Sequence, residues 1–470
     1  VFLTAALSAC CSAAWCEVSE KRPTNLLLIL TDNQGPWTLG CYGNREIRTP
    51  HIDRLAGEGM RFTRAFASNA VCSPTRATLL SGLIPSQHGV HCFLDEKYML
   101  GPQAYNTLAE FRTLPKILRE HGYTCGLVGK WHLGANLTPQ EGFSEWITMV
   151  HGSTAEFYDM PVIEDGRVRR EPGYATDLWT ERAVQFLRKN KDRPFFLYLA
   201  YNGPYGLGPL LSKPARNRHA AYYADQPLLS FHRDAMHPWL FNNKEYLNNP
   251  VSIRRVAAET SAVDDGVGTV MGELRTLGLD ENTLVVYTAD QGWMGGTNGL
   301  WGMGDHTRPL TAFDGMMQVP LIFRQPGAVP RATSDLLVSN YDFLPTVLSY
   351  LGLGDALAGA RPKSPGRDFA PLLRGRSATW DNVVYYEMQT VRAIRTADWK
   401  YVHRPHGPLE LYDLRRDPHE KVNLYGQPDL AAVQQQLQGR LEAFFTRTAE
   451  PKYDLYRGGT SKATLLREMD

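Results

Sequence analysis

Cys72 and Arg76 stand four residues apart at the start of an apolar helical pattern, Cys72-Ser73-Pro74-Thr75-Arg76-Ala77-Thr78-Leu79-Leu80. Pro74 presets the first turn of a helix, and the free N–H groups there suit a bound anion. Arg76 can fold its fork of donors back toward the Cys72 side chain. A cysteine so placed is expected to have a lowered pKa, and the pattern reads as a nucleophile, a metal ligand or a processing site. A second group, Asp32 with Asn33 and Asp290 with Gln291, offers oxygen donors and no sulfur. That inventory suits a hard cation, and mixed carboxylate and amide ligands fit Ca²⁺ better than the strict octahedron of Mg²⁺. A third group is Lys130 and His132, alternate residues that point to one side of an extended chain. Histidine has the ordinary pKa for proton exchange near neutrality.

The second and third groups follow apolar runs. Asn25-Leu26-Leu27-Leu28-Ile29-Leu30 leads into Asp32, Cys125-Gly126-Leu127-Val128 into Lys130, and Thr283-Leu284-Val285-Val286-Tyr287 into Asp290. Phe195-Phe196-Leu197-Tyr198-Leu199 leads into a fourth polar cluster, Asn202-Gly203-Pro204-Tyr205. Continuous apolar runs are strands covered on both faces of a parallel sheet, whose ligands bind beyond the carboxyl ends of the strands. Helical patterns intervene at Thr113 to His121, Ala175 to Asn190 and Ile253 to Leu277. From Gly206 to Asn249 the chain loses periodicity and reads as a surface excursion that shapes a pocket. Leu321-Ile322-Phe323 adds a strand and Asp342 to Leu348 a helix. The Pro-rich break at Arg361-Pro362-Lys363-Ser364-Pro365-Gly366 separates a catalytic region, residues 23–360, from a smaller C-terminal α+β domain, residues 361–470. There Val383 to Tyr386 and Trp399 to Val402 suggest antiparallel strands, and Leu430 to Ala449 a closing helix.

Balanced charge, 50 Lys plus Arg against 49 Asp plus Glu, provides no global field for nucleic acid or an anionic bilayer, so any preference for anions is local. Residues 1–22 read as an export leader: Val1 to Ala9 is apolar, Leu7-Ser8-Ala9-Cys10 resembles a bacterial lipobox, and Ala13-Ala14 offers an alternative cleavage site. The expectation is a periplasmic or extracellular protein, lipid-anchored through Cys10 where the lipobox is used and free of an anchor where cleavage falls at Ala13-Ala14. No other stretch approaches the length of a spanning helix. Three of the 7 cysteines, Cys10, Cys11 and Cys16, fall in this leader. The rest, Cys41, Cys72, Cys92 and Cys125, lack the paired spacing of a zinc site and do not form a disulfide scaffold.

The Cys-x-Pro-x-Arg motif with Ala77-Thr78-Leu79-Leu80-Ser81-Gly82 resembles the signature of the type I sulfatases, of the alkaline phosphatase superfamily. The likeness includes Thr49-Pro50-His51-Ile52-Asp53-Arg54-Leu55-Ala56, Gly59-Met60-Arg61-Phe62, Gly82 to Gly89 and the C-terminal Glu410-Leu411-Tyr412-Asp413-Leu414, and it extends from residue 23 to residue 425. It implies a large, mostly parallel sheet sandwiched by helices, alkaline-phosphatase-like. It also implies that a separate maturation enzyme oxidises Cys72 to formylglycine, whose hydrate attacks sulfur. By the same resemblance Arg76 steadies that diol, and Asp32, Asn33, Asp290, Gln291 and the processed Cys72 bind calcium. Lys130 bridges sulfate and nucleophile, and His132 takes the proton that lets the aldehyde re-form.

Two positions depart from the family pattern. Tyr205 stands where a histidine usually contacts sulfate or protonates the leaving oxygen, and a phenol near its ordinary pKa of about 10 is a less adaptable donor. Met303 and Asn298 stand where the family often has a lysine and a histidine. His306, a few residues on, is expected to supply the general acid and Arg308 to contact the sulfate or hold a substrate acid, with His219 and His232 as further substitutes for the histidine. The resemblance implies hydrolysis of a sulfated small molecule or glycan. A phosphomonoester or phosphonate monoester hydrolase of the same superfamily and a non-catalytic glycan-binding descendant are the alternatives.

Overall fold

The computed structural model describes residues 22–466, so the leader expectations at residues 1–21, including Cys10, Cys11 and Cys16, lie outside the described residues. The strand Asn25–Asp32 is buried along its whole length because it is covered on both faces. Leu27 and Ile29 face a core shared with helices Ala175–Asn190 and Pro250–Thr276. Leu26, Leu28 and Leu30 face the opposite core, shared with helices Cys72–Ser81, Leu114–Glu120 and Phe343–Tyr350. Period-two alternation in an all-apolar run thus feeds two helical layers.

An eleven-stranded sheet lies between the layers. At its centre Thr283–Ala289, Asn25–Asp32, Phe195–Pro204, Thr124–Gly129 and Glu145–Met149 run parallel, in that spatial order. Leu28 is opposite both Tyr198 and Val286, which fixes the relative heights of the neighbouring carboxyl ends. Outside this centre antiparallel pairs appear: Gln318–Arg324 pairs antiparallel with Thr283–Ala289 and with Met60–Phe66, whose other side carries the short parallel strands Ala332–Ser334 and Val338–Ser339, and the antiparallel hairpin Pro161–Glu164 and Arg167–Arg170 extends the far side. Gly129 ends its strand with φ +111°, and a Cβ there would stand 1.9 Å from the Ala200 carbonyl oxygen. Only glycine permits that approach. The chain then turns directly into Lys130.

The stretch from Gly206 to Asn249 differs from a simple surface excursion. Its short helical turns at Pro209–Ser212 and Ala220–Tyr223 bury Leu210, Leu211 and Tyr223, and the loop after them buries Leu228 and Phe231, in the core that includes helix Pro250–Thr276. Clustered apolar residues without period are sufficient to anchor a loop.

A second sheet, antiparallel throughout, contains Val383–Met388, Val391–Thr396, Trp399–His403 and Glu410–Asp413. Helix Ala431–Thr448 covers one face through Leu437, Leu441, Phe444 and Phe445. The first strand of this sheet reaches the large sheet: Asn69 Nδ2 donates to the Glu387 carbonyl at 2.7 Å, and Glu387 accepts the Ser86 N–H at 2.7 Å. These contacts flank helix Cys72–Ser81.

Candidate active site

The carboxyl ends of the central strands gather Asp32, Asp290, Lys130 and Tyr205 around Cys72, the first residue of its helix. One ligand atom each from Asp32, Cys72 and Asp290 lies within 4.8 Å of the others. Such a separation matches ligands that each sit about 2.3–2.6 Å from a common Ca²⁺. All three side chains are buried. The Cys72 thiol donates to Asp32 Oδ1 at 3.6 Å.

Arg76 does not fold back onto Cys72. Its Nε and Nη2 donate to Asp290 Oδ2 at 3.0 and 2.7 Å, and Nη1 donates to the Lys130 carbonyl at 2.7 Å. Its turn along the helix aims it across the strand ends, where a buried carboxylate is the stronger partner. Lys130 Nζ donates to Asp32 Oδ2 and lies 5.3 Å from the Tyr205 ring centre. Two carboxylates and two cations therefore meet inside the protein, each charge with an opposite partner. Burial followed by the nearby Asp290 pushes the Asp32 carboxyl up to about 6, against Lys130 and Arg76.

The expectation of a lowered Cys72 pKa is overturned. Burial, reinforced by Asp32 and Asp290, drives the thiol far above its ordinary range despite Lys130 and Arg76. Helix-terminal N–H groups and a nearby arginine do not offset desolvation beside two carboxylates.

Asn33 and Gln291 complete the ring. Asn33 N–H donates to Asp290 Oδ1 at 3.1 Å, its Oδ1 accepts from Gln291 Nε2, and its Nδ2 is buried without a partner. Gln291 Nε2 also lies 3.4 Å from Cys72 Sγ and 3.0 Å from Met303 Sδ. Thr75 Oγ1 donates to Gln291 Oε1 at 3.3 Å.

His132 adopts φ +57° and contacts the Leu94 carbonyl through Nε2 at 3.3 Å, while Nδ1 is buried without a partner. A carbonyl accepts only, so Nε2 carries the proton and Nδ1 is the basic atom. Burial, then Lys130 and Arg76, holds the imidazole neutral, well below its ordinary pKa. Tyr205 donates its N–H to the Asp32 carbonyl at 3.2 Å, and its phenol is held well above the ordinary range by burial, then by Asp32 and Cys72.

The loop from Asn298 to Arg308 enters through Met303, which touches Gln291. His306 Nδ1 accepts the Met303 N–H at 3.1 Å and lies 3.0 Å from Asp305 Oδ1. Arg308 Nη1 donates to the Asp305 and Thr307 carbonyls at 2.8 and 2.7 Å, and the guanidinium lies 4.7 Å from the Phe241 ring centre. His219 is drawn elsewhere: Nε2 meets Asp265 Oδ2 at 2.5 Å on helix Pro250–Thr276. His232 packs edge-on against His419, 5.5 Å between ring centres.

Sequence reasoning overlooked a fifth strand end. Glu145–Met149 leads into His151, Gly152 and Ser153, and a Cβ on Gly152 would stand 2.0 Å from His132 Nε2. Ser153 and Thr154 stand beside the Tyr205 phenol and oppose the rise of its pKa. The signal was the short apolar run Trp146-Ile147-Thr148-Met149 followed by His and Gly, obscured by its threonine. Thr75 was also overlooked, since a threonine inside a helix ordinarily bonds its own backbone, as its contact with Val71 shows.

The family model described as Sulfatase matches residues 24–353, and the model described as N-sulphoglucosamine sulphohydrolase, C-terminal, matches residues 306–447. The chain is similar to the N-acetylglucosamine-6-O-sulfatase of Bacteroides thetaiotaomicron, with 27% identity covering 93% of this chain and 89% of that protein. It is 30% identical to the N-acetylgalactosamine-6-sulfatase of Canis lupus familiaris over 81% of this chain and 71% of that protein. A solved structure in complex with its substrate D-glucosamine-2-N,6-O-disulfate is similar at TM-score 0.72 and 26% identity, over 92% of this chain and 99% of the other.

Proposed function

The chain belongs to the formylglycine-dependent sulfatase family of the alkaline-phosphatase-like superfamily, and from that premise we propose that it releases inorganic sulfate from a sulfated carbohydrate at the Asp32, Cys72, Asp290 cluster. The observation that carries this reading is the buried convergence of those three residues with Arg76 and Lys130. The relatives named for 6-sulfated amino sugars, and the structure holding a disulfated glucosamine, support the substrate class.

Asp32, Asn33, Asp290, Gln291 and residue 72 fit a calcium ion. Half-turns of the Asn33 and Gln291 amides exchange the orphaned Asn33 nitrogen for an oxygen donor while keeping their mutual hydrogen bond. When present, the ion supplies positive charge to the sulfuryl oxygens, and oxidation of Cys72 by a formylglycine-generating enzyme supplies an aldehyde hydrate as nucleophile. Arg76 is a positioning residue, because it holds Asp290 and the Lys130 carbonyl. Lys130 is buried beside Asp32, where its ammonium bears charge on the transferred group. His132 Nδ1 accepts a proton from the oxygen on residue 72 as sulfate leaves, its tautomer set by Leu94. Tyr205 lines the substrate pocket. His306, whose Nδ1 accepts the Met303 N–H, keeps the Nε2 proton for the leaving oxygen, and Arg308 contacts the substrate.

Among the described residues no helix is long and apolar enough to cross a membrane. We place the protein outside the cytoplasm, with residues 1–22 as its leader, residues 23–360 as the catalytic domain and residues 361–470 as the second domain. The deciding experiment is sulfate release from 6-sulfated amino sugars by enzyme shown by peptide mass spectrometry to carry formylglycine at position 72. Matched phosphate and phosphonate esters are assayed in parallel. Turnover confined to those esters would refute the reading.

A further inference from the structure

Three of the large apolar side chains most exposed to solvent, Leu229, Met236 and Phe241, belong to the segment between Gly206 and Asn249, although most of its other apolar residues are buried. Phe241 is 49% exposed. The backbone around it is held against the loop that carries Met303 and His306. The Phe241 N–H donates to the His306 carbonyl at 2.9 Å, the Arg308 N–H donates to the Trp239 carbonyl at 2.9 Å, and Leu240 and Thr307 form an antiparallel bridge. A short two-stranded ribbon results. Arg308 lies over the Phe241 ring at 4.7 Å, and Trp239 beside them packs against Phe313 and His237.

A continuous set of contacts joins this ribbon to the nucleophile, from Phe241 to His306, from His306 to the Met303 N–H, and from Met303 through Gln291 to Cys72. We propose that Phe241 and Arg308 form a subsite for the sugar unit next to the sulfated one, and that this unit carries an anionic group, a carboxylate or a second sulfate. The proposal rests on the sulfated-carbohydrate reading above. A half-open aromatic ring offers a flat apolar surface for the C–H face of a pyranose, and a stacked guanidinium adds directional donors for a planar carboxylate or a sulfate. The ribbon keeps ring and cation at a set distance from His306, so the subsite requires no closure to form.

The test uses the full-length Cys72→Ala protein and isothermal titration with four sugars. These are 6-O-sulfated N-acetylglucosamine, a disaccharide of that unit with a uronate, its uronate methyl ester, and a disulfated disaccharide without uronate. At least one of the two anionic disaccharides should bind about tenfold tighter than the monosaccharide, and the stronger of them identifies the anion recognised. Phe241→Ala should abolish that margin and Phe241→Tyr should retain it. Arg308→Gln should reduce the preferred anionic ligand to the affinity of the methyl ester. Equal affinities for monosaccharide and disaccharides, or a margin that survives Phe241→Ala, would overturn the subsite. Absence of sulfate release from all four sugars by the matured enzyme would overturn the reading of the catalytic site, while the binding margins decide the subsite independently.

Discussion

In the proposed reaction residue 72 acts only after oxidation. As a thiol it is buried, donates to Asp32 and is disfavoured as an anion by both carboxylates. Cys72→Ala and Cys72→Ser are therefore expected to abolish sulfate release by matured enzyme, as measured against wild type of known formylglycine content; retained turnover in either variant would exclude the nucleophile. Lys130→Ala removes a buried cation beside Asp32 and should slow turnover by roughly 10²-fold or more, a loss visible in single-turnover rates. His132 is placed by what stands beside it. Since Gly152 leaves no room for a Cβ against the imidazole, Gly152→Ala should displace the ring and lower kcat by about 10²-fold, the scale of a misplacement near 1 Å. Unaltered kcat in a folded Gly152→Ala protein would remove His132 from the proton step.

Among the elements, helix Pro250–Thr276 packs against the central sheet and carries Glu259, buried beside Tyr174, Asn217 and Arg255. Burial pushes this carboxyl up to about 7, against the Tyr174 hydroxyl and Arg255. A carboxyl whose pKa is raised in the folded state binds its proton more tightly there than in the unfolded chain, so stability from this group declines as pH rises through about 4.5 to 7. Glu259→Gln should flatten that decline. Thermal melts at about pH 5 and about pH 8 provide the check, and a fall in Tm as large as that of wild type would assign the pH dependence to other groups.

The two sheets are joined across the whole molecule by buried charge. Lys400, on the second sheet, donates to Asp314, which precedes strand Gln318–Arg324, at 3.0 Å and lies 2.6 Å from Glu420, with no exposed side-chain surface of its own. Lys400→Met leaves Glu420 without its cation and Asp314 with Arg395 alone in the interior, and is expected to cost about 3–5 kcal/mol in chemical denaturation. A loss under about 1 kcal/mol, the scale of an exposed pair, would show that the junction is solvated. Because Glu387 of the same sheet holds Ser86 and Asn69 on either side of helix Cys72–Ser81, the second sheet also helps place the helix that carries the nucleophile.

The apolar runs ending at Asp32, Lys130 and Asp290, and the motif at Cys72 to Arg76, were legible because strand burial and helix initiation are encoded over a few neighbouring residues. The sequence by itself therefore determined the central strands, most of the helices and the residue types available for the ion and the nucleophile. Outlying strands such as Met60–Phe66, and the strand end leading to Gly152, were less legible, since short mixed runs acquire a structure only from the strands beside them. Only the tertiary structure decided the pairings: Arg76 with Asp290 rather than Cys72, Lys130 with Asp32, and Met303 against Gln291. It also decided that the Cys72 thiol is held neutral. Partners 12 to 214 residues apart meet through sheet order, register and loop placement, and the balance between desolvation and ion pairing depends on every charge gathered there, which no local spacing contains.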